Sequence, residues 1–422
     1  MRTEPPDSPV ADSSVAVVDP LAGRRILVGI SGSIAAVKLP LVVSALAQRG
    51  AEVRCVLTPS AAALVSPVAL ASLSRHACYV DADQWSHHAP RPLHVELAEW
   101  ADLVLMAPLS ATSLGRWVHG LADTLLASIL LATEAPVLAA AAMNTAMWAS
   151  PAVRRNWELL QGFERVLPLG PAAGLLACDR RGDGRMAEPV QLLLALECLQ
   201  LWGWQRDWAG RRLLVTAGPT REPLDPARCL TNPSTGRMGV LLAQAARLRG
   251  AEVTLVHGPL ALDPQLLAGL RCEPVETAAQ MEQALLHLQP DADAIAMAAA
   301  VADHRRQHPL PHKLSKDALE AELASGWQPV PDLLAGLVAR RPAGQRILGF
   351  AAQSGEVLAE ARAKWARKGC DLLFANPIDQ ATAGFGVDTN HGWLLGGVGG
   401  EQRLESGSKL AIAQRLLTAL RP

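Results

Sequence analysis

Neither sign of charge dominates this chain of 422 residues: 39 Lys and Arg stand against 40 Asp and Glu. That balance offers no global field for a nucleic acid or an anionic membrane. Cysteine is sparse and unpaired, with seven residues at 55, 78, 178, 198, 229, 272 and 370 and no Cys-x-x-Cys. This excludes a disulfide scaffold and a zinc ribbon, and suits a reduced, cytoplasmic protein. Long uninterrupted apolar runs are also missing. The longest, 121–142, is broken by Asp123, Glu134 and Pro136 and fits buried elements of an α/β fold better than a membrane span. The first residues carry Pro, Asp and Ser without an apolar segment, so 1–22 reads as a disordered tail and not as a signal peptide.

What the chain does contain is one local pattern used twice. Residues 24–58 read RRILVGISGSIAAVKLPLVVSALAQRGAEVRCVLT, while 211–256 open with RRLLVTAGPT and close with AARLRGAEVTLV. Each copy is a basic pair, an apolar β run, a Gly/Ser/Thr turn, an amphipathic helix, and Arg-Gly-Ala-Glu-Val leading into a second β run. Such a β-turn-α-β unit sets amides at a helix N-terminus, where phosphate binds. A nicotinamide oxidoreductase would need Gly-x-Gly-x-x-Gly and an acid closing the second strand. Neither turn has that spacing, and the second strands end at Thr58 and His257. The dinucleotide reading is disfavoured.

Half of the residues are apolar, enough for sizeable cores, and the length allows two or three domains. Strand patterns at 25–30, 52–57, 102–107 and 136–140 alternate with helical ones near 34–49, 59–74, 110–132 and 150–161. Residues 170–188 are Gly-rich and read as a loop, followed by a helix over about 189–202. Alternation restarts with strands near 212–216, 252–256, 294–300, 346–350 and 371–375, a hairpin at 391–404 and a last helix over 407–420. The class is α/β, two doubly wound Rossmann-like domains over 23–205 and 206–422.

Three islands join the Ser31-Gly32-Ser33 turn in the first half: LHVELAEWADLVLMAP (93–108), AAMNTAMW (141–148) and ACDRRGDGRM (177–186). Together they resemble the homo-oligomeric flavin-containing cysteine decarboxylases, in particular the phosphopantothenoylcysteine decarboxylase family, with its flavodoxin-like domain. In that family a His precedes the third strand, an Asn-bearing loop follows the fifth, and a Cys lies in a Gly-rich flap. The resemblance implies His94, Asn144 and Cys178 as catalytic residues, with FMN held by Ser31, Gly32, Ser33, Thr58, Ser60, Ser110 and Met143. It implies that flavin oxidises the substrate's cysteine carbon to a thioaldehyde, so that carbon dioxide can leave. His94, of unperturbed pKa about 6.5, would shuttle a proton. Asn144 would hydrogen-bond the carboxylate. Cys178, of reference pKa about 8.5, would protonate the enethiolate while the hydride returns. A flavin-binding regulatory relative would lack the His or the Cys, and both are present. Leu109 and Thr112 depart from the family's usual Ala-Pro-Ala-Ser/Thr-Ala-Asn.

The second turn, TAGPTREPLDPARCLTNPSTGRMG (216–239), resembles the phosphopantothenate–cysteine ligase family. That likeness implies CTP as co-substrate and an acyl-nucleotide intermediate. It places Asn232 in the second motif, Arg228 near a subunit contact, and Met297, Ala298, Ala299 and Asp303 on the strand AMAAAVAD. Lys313, Lys364 and Lys368 would meet the triphosphate, Phe350 the cytosine ring, and Pro331, Asp332, Leu333 and Leu334 would form a backbone wall. Asp303 would hold Mg2+. Ser315 replaces one family lysine and Gln353 a frequent glutamate; both changes are expected to be tolerated. The resemblances imply two steps of coenzyme A synthesis, ligation and then decarboxylation. They also imply a homo-oligomer built on trimers, up to a dodecamer, with dimeric ligase contacts.

Overall fold

The structure, a computed structural model, describes residues 19–85, 91–175, 181–397 and 399–422. Strands β1 (Arg25–Ile30), β2 (Glu52–Leu57), β3 (Cys78–Val80), β4 (Leu103–Leu109), β5 (Val137–Ala141) and β6 (Val166–Leu169) form one parallel sheet. Their order is β3-β2-β1-β4-β5-β6. An antiparallel hairpin follows, β7 (Ala172–Leu175) with β8 (Arg181–Arg185).

The second half begins with β9 (Arg212–Ala217), the hairpin β10 (Arg221–Asp225) and β11 (Arg228–Thr231), β12 (Glu252–His257), β13 (Arg271–Pro274) and β14 (Ala294–Met297). It continues with the pair β15 (His304–Arg306) and β16 (Trp327–Pro329), then β17 (Arg346–Gln353), β18 (Leu372–Pro377), β19 (Thr389–Gly396) and β20 (Glu401–Ser408). The large sheet runs β13-β12-β9-β14-β17-β18-β19-β20. Its first six strands are parallel and, numbered by their own sequence, repeat the 3-2-1-4-5-6 order of the first sheet. The last two add the expected hairpin, antiparallel. The twofold use of one local pattern is therefore a twofold use of one topology. Between β1 and β4, and again between β9 and β14, the winding reverses, which is where open α/β sheets bind ligands. Among the described residues no helix is long and apolar enough to cross a membrane.

Several expectations are corrected. The helical stretch 110–132 is two helices, Ala111–Val118 and Leu125–Ala132, because Thr124 caps the second by accepting the Ala127 amide. The stretch 59–74 divides likewise at Ser66, which caps Pro67–Ser74. Residues 170–188 are not simply a loop, since β7 and β8 pair there. Packed chain also starts before residue 23: Leu21 is fully buried and Asp19 bonds Arg49, so the last residues assigned to the tail belong to the first core. The strand expected over 294–300 stops at Met297, because the backbone beyond turns to bond the loop after β9.

The helix Pro189–Trp202 lies between the two sheets' helical layers. It packs on the helix Leu39–Gln48 of the first half and on Arg237–Leu248 and Lys409–Leu420 of the second. Leu192, Leu194, Leu196 and Leu199 are buried on it, and one continuous apolar cluster includes residues of both halves. The arginines of the repeated Arg-Gly-Ala-Glu-Val pattern grip this connector from both sides. Arg49 reaches Glu197 at 2.7 Å. Arg249, only 2% exposed, pairs with Asp207 at 2.6 Å, and its guanidinium carbon lies 3.6 Å from the Trp202 ring centroid. A fully buried leucine contributes roughly 1.5–3 kcal/mol. For ion pairs as buried as these, the cost of removing both charges from water offsets most of their attraction. Apolar packing therefore holds the connector, and the arginines orient it.

Candidate active sites

A cavity of about 630 Å3 opens at the carboxyl ends of β1, β4 and β5. Gly32 and Ser33 line it from the first turn, Ser110 and Thr112 from the second, and Met143 and Asn144 from the third. Ser33 starts the helical segment Ile34–Lys38, and its side chain makes no capping bond there. Ser31 stands behind this wall, fully buried. Its hydroxyl donates to the Pro108 carbonyl at 2.6 Å and accepts the Ser110 amide at 2.8 Å. It ties the ends of β1 and β4 together and does not face the cavity. Thr58 caps the helix Pro59–Ala62 through the Ala61 amide, and neither Thr58 nor Ser60 lines the cavity. Ser60 instead presses on the turn: a β-carbon at Gly32 would lie 2.4 Å from its own β-carbon. Leu109 is buried in the core, and Thr112 lines the cavity in its departure from the family pattern. Lys38 and Arg185, which sequence reasoning missed, also line it.

Asn144 caps the helix Thr145–Ala149, its Oδ1 accepting the Ala146 amide at 2.8 Å. The second arm of the hairpin is seated against this loop, with the Met143 amide donating to the Gly184 carbonyl at 2.9 Å. Cys178 falls at 176–180, outside the described residues, in the connection between the two arms. His94 sits in the first turn of the helix Leu93–Trp100, ahead of the fourth strand and not the third, because the short edge strand Cys78–Val80 escaped sequence reasoning. It does not line the cavity. Its Nδ1 is buried and has no hydrogen-bond partner among the described residues, and its ring meets Trp85 edge-on at 6.3 Å.

A second cavity, of about 280 Å3, lies beside the carboxyl end of β14. It gathers Met297, Ala299, Asp303, Pro331, Asp332, Leu333, Leu334, Phe350, Lys364 and Lys368 from four separate segments. Phe350 is fixed edge-to-face on Phe374, with ring centroids 5.8 Å apart. Lys368 Nζ forms an ion pair with Asp332 Oδ2. Asp332 also caps the helix Leu333–Ala339 through the Ala335 amide. Burial pushes the Asp332 carboxyl up, yet the Lys368 and Ala335 bonds outweigh it and hold the group below the usual carboxylate range. Lys364 is lowered from the ordinary lysine value by burial first, then by the charges of Lys368 and Arg367.

Four residues expected here do not line this cavity: Arg228, Asn232, Ala298 and Lys313. The Asn232 amide is spent on the carbonyls of Ala300 and Val301, at 3.0 and 3.3 Å. The Thr-Ala-Gly-Pro-Thr turn does similar work, since Thr216 and Thr220 accept the amides of Ala299 and Ala302, each at 3.0 Å. This motif holds the cavity's wall from behind. Arg228 donates to the Leu314 carbonyl at 2.8 Å and so anchors the segment bearing Lys313, which is itself exposed. Among the described residues no cluster of three or more His, Cys, Asp or Glu forms a metal site. Asp303 thus stands without a second unpaired carboxylate in the cavity, Asp332 being held by Lys368.

Residues 15–197 match the Flavoprotein family, and residues 208–422 match the DNA/pantothenate metabolism flavoprotein C-terminal domain. The coenzyme A biosynthesis bifunctional protein CoaBC of Bacillus subtilis is 37% identical over 399 residues, covering 94% of this chain and 96% of its own. The chain belongs to the CoaBC family. The CoaBC protein of Mycolicibacterium smegmatis is 40% identical over 412 residues, with 94% of this chain and 97% of that one covered. Among solved structures, a PPC decarboxylase mutant complexed with pantothenoylaminoethenethiol is 34% identical, covering 41% of this chain and 96% of that one, with a TM-score of 0.39. The CoaBC likeness spans both cavities.

Proposed function

We propose that this chain carries out two consecutive steps of coenzyme A biosynthesis. The unit 206–422 joins 4′-phosphopantothenate to L-cysteine with CTP, through an acyl-cytidylate. The unit 23–205, with FMN, decarboxylates the product to 4′-phosphopantetheine. The observation that carries this reading is similarity to CoaBC along 94% of the chain, across both halves. The chemistry of each cavity supports it. Purified protein should be yellow and should release pyrophosphate over many turnovers only when CTP, 4′-phosphopantothenate and cysteine are all present, the acyl-cytidylate step without cysteine yielding about one pyrophosphate per site. Colourless protein without pyrophosphate release would overturn the reading.

In the first cavity the turn amides at Gly32 and Ser33 and the open hydroxyl of Ser33 suit the flavin phosphate, and Met143 suits the ring system. Bound flavin supplies the hydride acceptor and donor that make cysteine decarboxylation feasible. Asn144, oriented by the Ala146 amide, binds the substrate carboxylate through its Nδ2 donors. We assign His94 to the cavity of a second copy, which accounts for its place outside its own cavity and for a buried Nδ1 without a hydrogen-bond partner among the described residues. The surface beside the cavity supports association: Ile34, Val37 and Leu41 are 55%, 52% and 67% exposed at helical spacing. The assembly we propose is trimer-based, up to a dodecamer, with dimeric ligase contacts near Arg228. Cys178 protonates the enethiolate. Cys178→Ser is expected to retain flavin reduction and carbon dioxide loss but to accumulate the unsaturated thiol, detected by mass spectrometry. Normal yields of 4′-phosphopantetheine would remove Cys178 from that role.

In the second cavity Phe350 and Leu334 offer an apolar wall for the cytosine, and Lys364 and Lys368 offer charge to the phosphates. Lys313, on its anchored segment, would close over the triphosphate from outside. Mg2+ commonly needs only one or two carboxylates when it shares phosphate oxygens. Asp303, the one carboxylate outside an ion pair among the described residues lining the cavity, fits that role. Because Lys364 has a lowered pKa, its charge is present below that value and is lost at a lower pH than an ordinary lysine's. CTP affinity should therefore weaken as pH rises through that lowered value, and Lys364→Arg should move the decline upward, since guanidinium stays charged. Superimposable binding curves for the two proteins would exclude Lys364 as the titrating group.

A further inference from the structure

The first cavity contains two cations and, among its described lining residues, no acid. Lys38 ends the segment Ile34–Lys38, five residues after Ser33, and Arg185 ends β8 beside Gly184. Both converge on a single carboxylate. Glu188 accepts from Lys38 Nζ at 2.7 and 2.8 Å through its two oxygens, and it pairs with Arg185 Nη2. Its own amide is fixed by Gln191 Oε1 at 2.9 Å, at the start of the connector Pro189–Trp202. One side chain thus joins the turn helix, the hairpin and the connector. Glu188 is only 17% exposed, whereas Lys38 and Arg185 are 28% and 43% exposed, so the carboxylate lies behind and the cations in front.

The group carries a net charge of about +1, against about −1.5 to −2 for a phosphate monoester near neutral pH. An ammonium has three donors and a guanidinium five, more than Glu188 can occupy. We propose that Lys38 and Arg185, held in place by Glu188, form a phosphate-recognition corner of the N-terminal cavity. This rests on the decarboxylase reading above. Lys38 and Arg185 contact the phosphate, and Glu188 is a positioning residue. Two phosphate monoesters enter such a cavity, that of FMN and the 4′-phosphate of the acyl-cysteine substrate.

Arg185→Gln and the pair Lys38→Gln with Arg185→Gln should be assayed in the full-length protein. Binding of FMN is compared with riboflavin, and KM for 4′-phosphopantothenoylcysteine with that for pantothenoylcysteine. For one of the two phosphates, affinity is expected to fall about tenfold or more, while its unphosphorylated counterpart changes less than about twofold. Which pair diverges identifies the phosphate that is held. Equal losses with and without phosphate, or no loss, would overturn the proposal. Glu188→Gln should show the same selective loss to a smaller degree. A selective gain would mean that Glu188 competes with phosphate, which overturns its positioning role. Unmutated protein that binds no flavin and decarboxylates neither substrate would refute the decarboxylase reading, and the proposal with it.

Discussion

Lys368→Gln is expected to lower CTP-dependent ligation by about 10²–10³-fold, the usual loss when a charge-stabilising donor is removed from a reaction site. Decarboxylation of supplied 4′-phosphopantothenoylcysteine should stay within about twofold, because the two cavities draw on different sheets. The size follows from what the substitution leaves behind. Asp332 is held ionised by Lys368, and it lines the same cavity. Without the lysine, an uncompensated carboxylate faces the triphosphate. Unit charges about 4 Å apart interact by about 4 kcal/mol at an effective dielectric of 20, and water around the half-exposed Asp332 reduces that figure. Adding Asp332→Asn should therefore recover about tenfold, since asparagine caps a helix as well as aspartate does. Pyrophosphate release measures both. Ligation at the unmutated rate in the single variant would place the triphosphate elsewhere.

Gly184→Ala should remove most decarboxylation, about 10²-fold, without affecting ligation. Gly184 has φ of +148°, and a β-carbon there would lie 2.2 Å from the Met143 carbonyl. Backbone strain of this kind costs about 1–3 kcal/mol, and the hairpin can escape it by lifting from the Met143–Asn144 loop. The loss thus falls on activity, with thermal stability little changed. Paired measurements of decarboxylation and melting temperature distinguish this outcome from general unfolding. A fully active variant would show that the seating of β8 on that loop is dispensable.

Elements whose side chains alternate or run apolar between turn residues were legible in the sequence, and so β1, β2, β9 and β12 emerged near their true limits. The edge strand Cys78–Val80 was too short to display a period. The hairpin β7–β8 was hidden by its glycines, yet they are there because of what they touch: a β-carbon at Gly182 would meet Thr145 at 2.8 Å. Close approach is a property of two segments, so neither announces it alone. The same holds at the sites. Family likeness found Asp303, Phe350 and Lys364, which converge from distant segments. It did not foresee that Ser31 and Asn232 would spend their hydrogen bonds on neighbouring backbone, because partners are settled only in three dimensions. Lys38 and Arg185 went unnoticed because a solitary cation in a sequence looks like any solvated one.

The connector Pro189–Trp202 has a consequence for biogenesis. One side of it can pack as soon as the first half has been translated. The other side awaits Lys409–Leu420, nearly the last residues to be made. At about 5–20 residues per second, the ribosome needs on the order of 10–40 s to supply that cover. During that interval the nascent chain carries a leucine-rich strip in the open, the kind of transiently exposed apolar surface that invites aggregation until its cover arrives.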